Sequence, residues 1–126
     1  MNAFHNTIAV LQMQVTNLMA IAVRENAIVQ EAYTNLICDS ISVQGVPYAD
    51  KAARVRVIED HEREVNAAGA AAEIVIKALR EMDGFDDTVQ NRYEIIWSVR
   101  EDARRAASKA EDMLANSDVA FDILFA

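Results

Sequence analysis

Only one proline and three glycines interrupt 126 residues, and their placement decides what the chain can become. Gly45 and Pro47 sit together in the segment 39–47 (DSISVQGVP), and Gly84 sits in Asp83-Gly84-Phe85-Asp86-Asp87. A weaker interruption follows at Asn116-Ser117-Asp118. Between these breaks lie three long stretches rich in Ala, Leu, Glu, Arg and Met, all good helix formers, with no proline inside. No alternation of apolar and polar residues runs far enough to argue for a sheet. The pattern predicts an all-α fold, an elongated antiparallel three-helix bundle. Its helices span about 3–38, 48–82 and 87–115, with a short C-terminal helical segment after them, all in a single domain covering 1–126.

Each stretch carries a seam of residues at alternating three- and four-residue steps, the signature of a helix packed against other helices. In the first it runs Phe4, Ile8, Leu11, Val15, Leu18, Ala22, meets Glu25, and resumes through Val29, Ala32 and Leu36. In the second it is Ile58, His61, Val65, Ala68, Ala72, Val75, Leu79 and Met82. In the third it is Val89, Tyr93, Ile96, Arg100, Ala103, Ala107, Ala110 and Leu114, where Val99 or Trp97 is the alternative to Arg100. Pro47 suits a first helical turn and Gly84 the position just past a helix end. Asp87 with Gln90 reads as a capping box. The run 67–72 (AAGAAA), almost without side-chain volume, predicts the closest helix approach.

Charge narrows the partners. Twelve Lys and Arg against twenty Asp and Glu leave a formal net charge of −8, which a phosphate backbone repels, so direct nucleic-acid binding is not expected. The first 23 residues hold no Asp, Glu, Lys or Arg. Asn6, Thr7, Gln12, Gln14, Thr16 and Asn17 interrupt that apolar run and no basic residue precedes it, which argues against a secretory peptide and against a membrane span. A single cysteine, Cys38, cannot form an internal disulfide and fits a reducing compartment. The expected location is the cytoplasm.

Templates for chemistry are scarce. Glu59 and Glu62, at i and i+3, present two carboxylates on one helix face, as an all-α nucleotide pyrophosphohydrolase does to hold a divalent ion. The second pair such an enzyme needs is missing, because Glu73, Glu81, Glu94 and Glu101 are followed three residues later by Ile76, Gly84, Trp97 and Arg104. His61 and His5 lack the Glu three residues before them that a di-iron bundle requires. There is no glycine-rich phosphate loop, no nucleophile elbow and no Cys/His cluster with zinc spacing. The chain therefore reads as a non-enzyme with no cofactor.

Interaction features remain. Glu59, Asp60, Glu62 and Glu64 on the second helix fall roughly level with Glu101, Asp102, Glu111 and Asp112 on the third, so an antiparallel hairpin gathers them toward one acidic face. Phe121, Leu124 and Phe125 in the tail either cover a bundle end or anchor a partner, and the loop 40–48 with Val43, Val46 and Tyr48 is ambiguous in the same way. The first helix, apolar around much of its circumference, is expected to be the most buried. A bundle this thin has few interior places, which favours a homodimer using Leu11, Val15 and Leu18. The preferred reading is an acidic inhibitor or adaptor, of the kind a phage or mobile element encodes, docking on the basic, nucleic-acid-binding surface of a partner protein. The alternatives are a self-assembling helical scaffold and the divalent-metal pyrophosphohydrolase.

Overall fold

In the computed structural model, which describes residues 3–42 and 44–116, the helical stretches become α1 (Ala3–Ser40), α2 (Tyr48–Glu81) and α3 (Asp87–Ala115). At 1.5 Å per residue they are about 57, 51 and 44 Å long. The ion pair Asp39–Arg54 (2.8 Å) joins the end of α1 to the start of α2, so these two run antiparallel. Gln12 reaches Asp86 (3.3 Å) and Gln30 reaches the Asp102 carbonyl (3.1 Å), so α1 and α3 run parallel. The all-α three-helix bundle is thus the fold. The expected C-terminal segment, with Phe121, Leu124 and Phe125, and Val43 of the loop lie outside the described residues.

The core is built on a strict spacing of seven. Val15, Ala22, Val29 and Leu36 on α1, Ile58, Val65, Ala72 and Leu79 on α2, and Val89, Ile96, Ala103 and Ala110 on α3 are all fully or almost fully buried. A sustained seven-residue repeat imposes a left-handed supercoil on straight helices. Counted outward from the α2–α3 turn, the hairpin sets its members in four layers, Leu79 with Val89, Ala72 with Ile96, Val65 with Ala103 and Ile58 with Ala110, the register shared by the meeting of Arg100 with Gly69. Size is shared out within the layers. In three of the four, alanine on one helix of the hairpin faces a larger residue on the other.

The polar members of the seams find partners. Glu25 on α1 meets His61 on α2, with 2.6 Å between the carboxylate and Nδ1. Arg100 stays in the α3 seam by crossing Gly69 and ion-pairing with Glu73 (2.9 Å). A Cβ on Gly69 would collide with Arg100 Cδ and lie 2.7 Å from its Nε, so the glycine in the alanine run is the seat of the arginine. Neither Val99 nor Trp97 replaces Arg100: Val99 packs half-buried beside the core and Trp97 points outward, 55% exposed.

The tight turn corrects two local expectations. Helix α2 closes with the Gly84 amide donating to the Leu79 carbonyl (2.7 Å) and the Asp83 amide to that of Arg80 (3.4 Å), and the left-handed residue is Asp83 (φ 57°), not Gly84. Gly84 is needed for space, since a Cβ there would stand 2.8 Å from Leu79 and 2.9 Å from Ile8. The cap of α3 is Asp86, whose side chain accepts from the Val89 amide (2.9 Å). The Asp87–Gln90 box is not made; Gln90 turns instead to Glu94 (3.1 Å). Gln12 ties α1 to this turn through the Gly84 carbonyl (3.0 Å) and Asp86. At the other end Pro47 precedes α2 as its N-cap, in extended conformation.

The expectation that α1 is the most buried helix is overturned. Among the described residues α1 buries five side chains (Val15, Ala22, Asn26, Val29, Leu36), against eight buried residues of α2 and six of α3. The apolar residues that widen the stripe of α1 lie beyond the faces turned to α2 and α3, where Val10 and Met13 are 56% and 60% exposed. Over His5–Ser40 this helix is also long and apolar enough to cross a membrane by length and composition, a test that core helices and signal sequences pass too.

Candidate interaction surfaces

The α2–α3 face is where the carboxylates predicted from sequence meet. Glu59 shares a side-chain hydrogen bond with Glu111 across the two helices, and its carboxyl is pushed above the ordinary range. Burial is the first cause, followed by the hydrogen bond and the charge of Glu111; Arg63 acts in the opposite direction and Glu62 adds to the rise. Glu62 accepts from Asn66 (3.0 Å). Seven-residue steps extend this face along both helices, through Asn66 and Glu73 on α2 and through Arg104 and Trp97 on α3.

The other predicted acidic residues are distributed differently. Asp60 pairs with Arg63, Glu101 with Arg104 (2.8 Å) and Asp102 with Arg105 (3.6 Å), each within one helical turn. Pairs of this exposed kind contribute well under about 1 kcal/mol apiece. Asp102 lies on the side of α3 toward α1, where its carbonyl accepts from Gln30. Glu64 and Asp112 are exposed. The eight carboxylates therefore surround the hairpin, with Glu59 and Glu111 as the point of direct contact. No group of three or more His, Cys, Asp or Glu side chains able to hold a metal ion occurs among the described residues.

Val15 of the expected self-association set is fully buried, and Leu11 and Leu18 are half-buried against the core. All three face the other helices of their own chain. Among the residues α1 turns outward are Val10, Met13, Asn17, Ala20, Val23 and Arg24. Sequence reasoning offered Trp97 only as a seam residue and passed over Ile74, yet both side chains are exposed, because an apolar residue in an amphipathic helix is read as core until the register is known.

Shallow grooves line the bundle. One of about 350 Å³ runs between α1 and the start of α3, with Ala9, Met13, Thr16, Val89 and Arg92 on its walls. Another, about 310 Å³, lies between Gln30, Tyr33, Asp102 and Lys109. The chain matches no known protein family, no curated protein and no solved structure.

Proposed function

We propose that the chain is a non-enzymatic helical docking module whose α2–α3 face engages a basic surface on a partner protein. The observation that carries this reading is the meeting of Glu59 and Glu111, with Glu62 beside them. Two carboxylates held together cost the free protein Coulombic energy, and a guanidinium or ammonium from a partner turns that cost into attraction. Trp97 supports the same face. Exposed tryptophan beside charged side chains is the residue type that most often dominates protein–protein binding energy. A partner that binds nucleic acid has a surface of the required sign, and an acidic helical protein seated there acts as its inhibitor or adaptor.

The test is a pull-down from host lysate at low and high salt, with the wild-type chain beside the double variant Glu59→Lys, Glu111→Lys. The reading expects one basic protein that the wild type retains at low salt and that both high salt and charge reversal release. Capture indifferent to both would sink it.

A further inference from the structure

We infer that the outward face of α1 is the seat of a second copy of this chain, and that the two α1 helices pack against each other about a two-fold axis. The exposed residues Val10, Met13, Asn17 and Ala20 recur at three- and four-residue steps, so α1 carries a second seam on the side opposite its own core, which ends at the exposed Arg24. Met13, 60% exposed, also forms one wall of the 350 Å³ groove toward α3, which gives an incoming helix a concave bed.

Charge selects the occupant. In a two-fold pair the same patch faces itself, so it must be complementary to itself. On a chain of net charge −8, the outer surfaces of α2 and α3 would set carboxylates against carboxylates. Residues 6–23 contain no ionisable side chain, so two copies meet there without opposition of like charge. Asn17, in the middle of the face, has an amide that both donates and accepts and thus pairs with its own copy. A buried asparagine of this kind sets register and partner number in coiled coils. A bilayer is the poorer occupant. Asn6, Gln14 and Asn17 would enter hydrocarbon with amides unsatisfied.

The α2–α3 faces are not used in this pairing and remain outward, so the inference stands independently of the docking function. Sedimentation equilibrium of the full chain at micromolar concentration tests it, with helicity followed by circular dichroism. The wild type is expected at twice the 14.0 kDa chain mass. Met13→Glu, at an exposed site, is expected to keep full helicity and weaken self-association by about a hundredfold or more, because it buries unpaired carboxylates in the contact. Ile74→Glu, at the 73% exposed position on α2, is expected to leave the dimer intact. A monomeric wild type overturns the inference, as does a dimer that survives Met13→Glu. Flotation of the wild type with phosphatidylcholine vesicles, abolished by Met13→Glu, would overturn it in favour of the bilayer.

Discussion

Asp83 holds a conformation that glycine adopts at no steric cost, and Gly84 next to it occupies a space that only glycine fits. The two neighbours therefore predict opposite responses. Asp83→Gly is expected to raise stability by up to about 1 kcal/mol, by relieving the left-handed backbone at the end of α2. Gly84→Ala is expected to lower it by about 1–3 kcal/mol, since the new methyl forces Leu79 or Ile8 aside. Urea denaturation of both variants measures the two signs. Glu59 adds a pH dependence. Its folded-state pKa is raised, so the native state takes up a proton before the unfolded chain does. Its contribution to stability therefore rises as pH falls from neutrality through that raised value, and levels off below the ordinary carboxylate pKa. Glu59→Gln is expected to increase the melting temperature at neutral pH and to flatten this part of the profile.

Between helices, the irregular residues explain one another. Arg100 and Gly69 form one unit, so Gly69→Ala gains about 1 kcal/mol of helix propensity while displacing the arginine from its seat. The expected signature is a lost coupling between Arg100 and Glu73 in a double-mutant cycle, even where total stability barely changes. Gln12→Ala, which unties α1 from the α2–α3 turn, is expected to cost about 1 kcal/mol. Those couplings mark the boundary of what the sequence discloses. The seams were legible because spacing along one helix is a property of that helix alone: Val15, Ala22, Val29 and Leu36 announce a face before any neighbour is known. Glu25, His61 and Arg100 were legible only as exceptions, since who answers them depends on how three helices slide against each other. The candidate face followed the same division. Its carboxylates could be named, but the meeting of Glu59 with Glu111 and the outward turn of Trp97 depend on register and azimuth. The cap at Asp86 was misplaced by one residue because three successive acidic-or-polar residues, Asp86, Asp87 and Thr88, offer equivalent caps until the turn before them is set.

The molecule as a whole is four layers deep, and total core volume does not by itself define it. The exchange Ile96→Ala with Ala103→Ile leaves the composition of α3 unchanged. It leaves two alanines facing each other in the second layer and sets isoleucine against Val65 in the third. The expected loss is at least about 3 kcal/mol, from a cavity in one layer and overcrowding in the next. Thermal and denaturant unfolding of the exchanged protein measures it. The same unevenness bears on an error to which every seven-residue repeat is open. A helix moved lengthwise by seven positions still presents an apolar stripe, and in a uniform core nothing would push it back. Here a shift of α3 by one repeat brings Ala103 level with Ala72 and carries Ile96 into the place of Val89, beside Leu79. One storey empties and the adjoining one jams, so the side chains act as the teeth of a key that turns at a single depth.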